Sequence, residues 1–343
     1  MYSSSYNITA NGMEKLHPFD ACKYGRVAAL LEAARAVPLH RLTPATSITE
    51  AELAVLHSRE YLQSVRTRAW RILELPFIAC LPSSYVDARV LHPMRMATGG
   101  SMLAARLALE AGWAINLGGG YHHASRAHGH GFCVYADVTA AVWAARAARP
   151  CACATARRAA VAGDPSRRES AVFAVAAEPC TCGGALRVLV VDVDAHQGDG
   201  VATDLGDDAG VYILDCYAPN IFPGDALAAS RVRASIHYQH GDTGARFLRE
   251  LAPAVRAALR SFCPQLLLYN AGTDTLEGDP LSGLAQAASA IIQRDALVFA
   301  AAAERNTPVC MLLSGGYTRA SAVVIAESIL NVGREHGWWP GEN

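Results

Sequence analysis

The sequence predicts an α/β fold, a single parallel sheet with helices on both faces. Two observations carry this reading. Five short apolar runs each end in polar or glycine residues, and Ala- and Leu-rich stretches lie between most of them. Continuous apolar runs of that length are how strands buried on both faces look. Their alternation with helical stretches implies right-handed crossovers and a sheet covered on both sides. With 343 residues and no convincing boundary, the chain reads as one domain over 1–343, large enough to bury a core without disulfides.

The elements follow in order. The N-terminal part holds HPFD (His17 to Asp20), a helix from about Gly25, and SITEAEL (Ser47 to Leu53), where Ser or Thr precedes Glu by three residues and marks a helix start. A helical stretch from Gly99 to Ala111 leads into the first strand segment, WAINLGGGYHH (Trp113 to His123). Residues 145–185 then break the rhythm, being rich in Ala, Arg, Gly, Pro and Ser without periodicity, and are expected to be a flexible loop insertion. The remaining strand segments are RVLVVDVDAH (Arg187 to His196), VYILDCY (Val211 to Tyr217), QLLLYNAGTD (Gln265 to Asp274) and PVCMLLSGGY (Pro308 to Tyr317), with a helix over Ala320 to Val332.

Composition narrows the function classes. The apolar fraction is 52%, and no run approaches the ~18 apolar residues that span a bilayer. The start, MYSSSYNITANGMEKL, lacks the basic-then-apolar pattern of a secretory signal. An intracellular protein, nuclear or cytoplasmic, is therefore expected, and not a membrane-spanning one. A formal charge of -1 argues against direct nucleic-acid binding. Of ten cysteines, six are single and mostly in apolar context, as reduced core thiols are. The others form CAC (Cys151, Cys153) and CTC (Cys180, Cys182). Four thiolates could close a structural zinc site, but CxC is less typical than CxxC, and a tolerated insertion is the plainer reading.

In open α/β sheets the ligand crevice lies beyond the carboxyl ends of the strands. There the sequence places His122 and His123, then Asp192, Asp194 and His196, then Asp274, then Tyr317. In DVDAHQGDG, strand alternation points Asp192, Asp194 and His196 the same way. Two carboxylates and an imidazole begin a metal site, and zinc accepts such N and O ligands while leaving a position for water. Asp274 can supply the third ligand, which frees Asp192 to orient a histidine. Taken alone, DVDAH could equally cap a turn. In GGGYHHA, glycines allow close approach to a substrate, and two adjacent imidazoles can take up and return a proton, with Asp192 and Asp199 as natural partners. In SGGYTRA, Tyr317 on a glycine turn could hydrogen-bond a developing oxyanion, or simply pack.

HPFD, NLGGGYHHA, HGFCVYADV, VLVVDVDAHQGDG, IFPGD, YNAGTDTLEGDPLSG and SGGY occur in one order. In these motifs the chain resembles histone deacetylases from roughly His17 to Val332 apart from the insertion. HPFDACKYG, AHQG, CYAPNIFPGD and AGTDTLEGD are most similar to the class IV (histone deacetylase 11-like) branch. The resemblance implies an arginase/deacetylase fold with about eight strands. It implies zinc on Asp194, His196 and Asp274, and His122 and His123 backed by Asp192 and Asp199 respectively. His123 would be the general base and acid, His122 mainly electrostatic, and Tyr317 would polarise the acyl carbonyl. Gly131, Phe132 and Phe222 fall on positions lining an acyl-lysine tunnel, and Leu281 falls near its mouth. Asp192 and Asp215 fall on a monovalent-cation site, usually potassium.

The implied activity is zinc-dependent hydrolysis of acyl-lysine on histone or other proteins, with hydroxamate-type inhibitors binding the zinc. Class IV relatives favour long fatty-acyl groups, so defatty-acylation is expected beside deacetylation. Two departures stand out. Class IV relatives often have Asn where this chain has Asp199. The loop from Phe77 to Pro93 has no obvious match to the aspartate that grips the substrate backbone in class I enzymes; Asp87 lies in the right region. The rival readings are an acetylpolyamine hydrolase of the same fold and a catalytically weak acyl-lysine-binding scaffold. A two-manganese arginase-like site is disfavoured, because DAHQGD sets its second Asp one residue later than DAHxD.

Overall fold

A computed structural model describes residues 1–9, 12, 14, 20–161, 168–178 and 180–339. His17, Pro18 and Phe19 of HPFD lie outside the described residues. The strands are β1 (Trp113–Asn116), β2 (Val188–Asp192), β3 (Val211–Tyr217), β4 (Ala234–His237), β5 (Leu266–Asn270) and β6 (Val309–Leu312). The helices up to the second strand are α1 (Lys23–Ala33), α2 (Glu50–Leu56), α3 (Arg59–Ile72), α4 (Ser83–Val86), α5 (His92–Ala111), α6 (Asp137–Ala148), α7 (Ala152–Val161) and α8 (Arg168–Ala177). Beyond it come α9 (Asp199–Leu205), α10 (Ala226–Arg231), α11 (Ala245–Phe262), α12 (Ala288–Ala303) and α13 (Arg319–Glu335).

The strands form one sheet in the order β1-β6-β5-β2-β3-β4, every pair parallel. All residues of β2 and β5 are buried. Successive strand residues face opposite sides, so both faces of the central sheet are covered. Helix α5 packs on β1 and β6, and α11 on β2, β3 and β4. The chain steps from β2 toward β3 and β4, then returns through β5 toward β6. That reversal sits between β2 and β5, the kind of switch point where open α/β sheets bind ligands.

Two expectations change. The sheet has six strands among the described residues, not about eight. Its edges end because β1 is entered from α5 and leaves into a glycine turn, while β4 leaves into turns and α11. Of the six, β4 carried no sequence signal: it is a four-residue edge strand with only Ile236 buried, so no apolar run marks it. Residues 145–185 are also not a structureless loop, since they contain the end of α6, all of α7 and all of α8. Their alanines and arginines are strong helix formers, and Phe173 of α8 meets Trp143 of α6 edge-on at 5.7 Å. The expected helix start in SITEAEL is Thr49, in a reciprocal capping box with Glu52.

Candidate active site

Strand β2 ends at Asp192, and the chain then turns across the sheet edge. Asp194 is fixed there by its Oδ2, which accepts from Ser314 Oγ (2.9 Å) and the Gly315 amide (3.0 Å). Asp274, beyond β5, accepts the Ala195 amide on Oδ1 at 2.9 Å. His196 Nδ1 lies 2.8 Å from Asp274 Oδ2 and 3.2 Å from Asp194 Oδ1. All three side chains are buried, with ligand atoms within 4.8 Å of one another. Two glycines make the convergence feasible: a Cβ on Gly272 would stand 2.4 Å from the Asp194 carboxylate, and one on Gly315 2.5 Å from it.

Charge tests whether these residues suit a metal. Burial, then the adjacent Asp194 charge, pushes Asp274 up to about 7. Burial would lower His196, yet its hydrogen bonds to Asp194 and Asp274 raise it to about 10. Buried carboxylates crowded in this way demand a cation between them. Zinc takes imidazole nitrogen and carboxylate oxygen donors, and one buried imidazole gathered with two buried carboxylates fits it in donor type.

The histidine pair comes from the loop after β1. Gly119 and Gly120 hold positive φ (73° and 87°), and a Cβ on Gly119 would reach 2.4 Å from Asp137. Asp137, the first residue of α6, accepts the amides of Gly120 (2.8 Å) and Tyr121 (2.7 Å) and the Ser101 hydroxyl (2.5 Å). That clamp aims both imidazoles. His122 Nδ1 is 2.8 Å from Asp192 Oδ2, and His123 Nδ1 is 2.7 Å from Asp199 Oδ1. A carboxylate at Nδ1 fixes the proton there and leaves Nε2 of a neutral ring as an acceptor. Burial would lower His122, but the charges of Asp192 and Asp194 raise it to about 10. Burial and then the His122 charge lower His123 to about 3. The two shifts run in opposite directions, His122 toward the charged form and His123 toward the neutral one.

Asp199 takes a second partner, His130 Nε2 at 2.6 Å. Burial would raise Asp199, and the bonds from His123 and His130 hold it well below the usual range instead. Asp215 pairs in register with Asp192 across β3 and β2. Its Oδ2 accepts the Gly198 amide at 3.1 Å, while its buried Oδ1 has no hydrogen-bond partner. Burial and then the Asp192 charge push Asp215 up.

Tyr317 is placed by its amide, which donates to Asp279 Oδ2 at 2.9 Å. Its ring meets Phe132 edge-on at 6.1 Å and His196 at 6.4 Å. A cavity has Asp194, His122, His123, Gly131, Phe132 and Tyr317 on its wall. From there it continues past Tyr24, Leu73, Ile78, Tyr85 and Met94. Phe222 stands outside that wall, 43% exposed, with its ring edge-on to His123 at 5.1 Å. Leu281 is also off the wall; its amide donates to the other oxygen of Asp279, at 3.0 Å. The stretch from Phe77 to Pro93 is largely helical rather than a loop. Asp87 does not line the cavity, and its carboxylate is held by both Nη atoms of Arg95 at 2.7 and 2.9 Å.

Sequence reasoning passed over four supporting residues. Besides Asp137 and His130, Arg294 of α12 is fully buried and donates to the Gly272 carbonyl (2.7 Å), steadying the approach to Asp274. The fourth is Lys23 of α1, whose ammonium bonds the Ser314 and Gly315 carbonyls. His57 is a further buried imidazole with a structural role. Its Nε2 accepts the Ala136 amide (3.2 Å), and its Nδ1 faces the Arg126 carbonyl (3.3 Å). The Nε2 bond requires the neutral ring, and burial lowers His57 to about 4 from an ordinary 6.5 although the Nδ1 bond to the Arg126 carbonyl opposes it. A depressed value gives stability that is present above pH 6.5 and is lost as pH falls through 4. The limit is on the order of 3 kcal/mol. Urea unfolding at pH 7 and pH 5 should show this slope in the natural chain and a shallower one in His57→Gln; equal slopes would remove the role.

Comparison with known proteins accords with this geometry. The histone deacetylase domain family matches residues 17–153 and 171–332. Histone deacetylase 2 of Arabidopsis thaliana is 40% identical over 337 residues, covering 98% of this chain and 78% of that protein. The acetoin utilization protein AcuC of Bacillus subtilis is 25% identical over 299 residues, covering 83% and 68% respectively. The crystal structure of the HDA15 HD domain superposes with a TM-score of 0.64 at 21% identity, covering 92% of this chain and 81% of that one. That likeness establishes the arginase/deacetylase α/β fold. The family match passes through the loops that carry the histidine pair, Asp194, His196, Asp274 and Tyr317, and it omits residues 154–170 inside the insertion. The chain belongs to the histone deacetylase family of hydrolases.

Proposed function

We propose that the chain is a zinc-dependent lysine deacylase that removes acyl groups, long-chain ones included, from lysine side chains of histone or other proteins. One observation carries the reading: Asp194, which stands with His196 and Asp274, lines one cavity together with Tyr317 and the two histidines of the His–Asp pairs. Asp194, His196 and Asp274 would hold the metal. The chemistry that zinc supplies when bound is Lewis acidity toward a carbonyl oxygen and toward water. The chain's own residues do the rest. Neutral His123, its Nδ1–H committed to Asp199, offers Nε2 to take a proton from the attacking water and return it to the leaving amine. Cationic His122 stabilises negative charge beside it, and the Tyr317 phenol donates a hydrogen bond to the oxyanion. Gly131 and Phe132 flank the lysine stem, with Phe222 and Leu281 nearer the protein substrate.

The apolar continuation past Leu73, Ile78 and Met94 supports room for a fatty chain. The motifs HPFDACKYG and CYAPNIFPGD support the class IV branch. Potassium is assigned to Asp192 and Asp215, supported by the bare buried oxygen of Asp215. The test compares acetyl-lysine and myristoyl-lysine versions of one peptide, with and without a chelator. Both substrates should turn over, the myristoyl form faster, and the chelator should abolish both until zinc is restored. Turnover indifferent to the chelator would overturn the zinc, and a large preference for acetyl would overturn the long-chain part alone.

A further inference from the structure

The inserted helices bring together four cysteines that the active site does not use. Cys151 and Cys153 flank Ala152, the first residue of α7, and Cys180 and Cys182 follow α8. Although 29 residues separate Cys151 from Cys180, their sulfurs are 3.6 Å apart. The other close approaches are 3.2 Å (Cys151–Cys153), 3.7 Å (Cys153–Cys180) and 3.5 Å (Cys180–Cys182). All four sulfurs lie within 4.8 Å of one another, and none is in a disulfide.

The spacing has a simple meaning. Four thiolates at ~2.3 Å from a zinc ion occupy tetrahedron corners with edges of about 3.8 Å. Disulfide pairing would instead draw sulfurs to about 2.05 Å two by two. The surroundings also suit an anionic cluster. Arg157 places Nη2 3.6 Å from the Cys153 sulfur while its Nη1 pairs with Glu178 at 2.9 Å. Arg158 donates to the Ala147 carbonyl at 2.7 Å, tying α7 to the end of α6. Beyond Cys182 the chain turns through Gly183, at φ 69°, and a Cβ on Gly184 would already touch Cys182 Sγ at 3.4 Å.

We propose that Cys151, Cys153, Cys180 and Cys182 hold a second zinc ion in a closed tetrathiolate site. It has no position open to substrate, so its work is structural. It joins the start of α7 to the segment after α8 and so pins both ends of the insertion just before the chain enters β2. The CxC spacing, unusual within one knuckle, is accommodated because each pair comes from a different side of the α7–α8 unit.

The experiment is metal analysis of the full chain purified under reducing conditions. Two zinc ions per chain are expected in the natural sequence and one in the Cys151→Ser/Cys180→Ser double variant. Cobalt(II) substitution of the natural chain should give thiolate charge-transfer bands. Asp194, His196 and Asp274 offer no sulfur, so those bands report the cysteine cluster whether or not the zinc reading of the active site holds. They also decide the matter should the double variant fail to fold. Unchanged zinc in the double variant, cobalt protein without thiolate bands, or these cysteines recovered as disulfides would each overturn the site.

Discussion

Replacing Tyr317 by phenylalanine is expected to lower kcat on acyl-lysine peptide about 10²–10³-fold, with KM and active-site metal content nearly unchanged. The substitution removes one hydrogen-bond donor and little else. The backbone that positions residue 317 is held by the Asp279 carboxylate at 2.9 Å, a contact phenylalanine keeps. The edge-on contact with Phe132 also survives, because it uses the ring. The phenol belongs to the cavity wall beside Asp194 and the histidine pair. Burial, then the charges of Asp194 and Asp274, pushes its pKa well above the ordinary value, so it remains a protonated donor across the working pH range. A donor aimed at the oxyanion stabilises the transition state more than bound substrate, and its loss belongs in kcat rather than KM. Single-turnover rates with quantified zinc check this. A variant within about threefold of the natural rate would take Tyr317 out of the mechanism, since threefold is only ~0.65 kcal/mol.

The site was legible in the sequence where chemistry sits at the ends of apolar runs. Asp192, Asp194, His196, Asp274, His122, His123 and Tyr317 interrupt or follow strands that otherwise read as buried, and polar residues in such places need a reason. DVDAH owed its face-sharing to strand alternation, yet β2 ends at Asp192. What brings Asp194 and His196 together is a turn bonded through the Asp192 and Asp194 carboxylates to the amides of Asp194 and His196 (3.1 and 3.0 Å). Alternation grouped residues that the fold does gather, though through a different local geometry.

What stayed hidden shares one physical feature: its role depends on a partner remote in sequence. His130 lies in an ordinary loop until Asp199 arrives 69 residues later. Asp137 begins α6 as any helix-start carboxylate does, and only the fold reveals that it bonds the glycine turn instead. The α7 and α8 helices were missed for another reason. Periodicity was sought in apolar residues, but alanine supplies helix propensity without an apolar stripe. Strand β4, at an edge with one buried side chain, offers too little burial to write a pattern.

Lys23→Met should be a damaging change away from the reacting atoms, lowering stability by about 1–3 kcal/mol and weakening zinc binding at the proposed active-site metal centre about 10–100-fold. Lys23 opens α1 and is fully buried. Its Nζ donates to the carbonyls of Ser314 (2.6 Å) and Gly315 (2.8 Å). The Ser314 hydroxyl and Gly315 amide in turn donate to Asp194 Oδ2. The lysine thus holds the far side of the loop whose near side grips Asp194, one of the three proposed metal ligands. Burial lowers its pKa to about 8 against the attraction of Asp194, Asp274 and Asp279, so the ammonium is retained at a cost that only its bonds offset. Methionine fills similar volume but leaves the buried Ser314 carbonyl without a donor, at a cost of about 1–3 kcal/mol, while the Gly315 carbonyl keeps the Thr273 amide at 3.1 Å. Denaturant unfolding and zinc titration of the variant separate the two effects. If a metal sits on Asp194 as proposed, a loss of stability with zinc affinity intact would make Lys23 a core residue only; a variant as stable as the natural chain would mean the Ser314 carbonyl had found another donor. The prediction requires both to fall, since one ammonium serves the turn and, through that turn, the carboxylate.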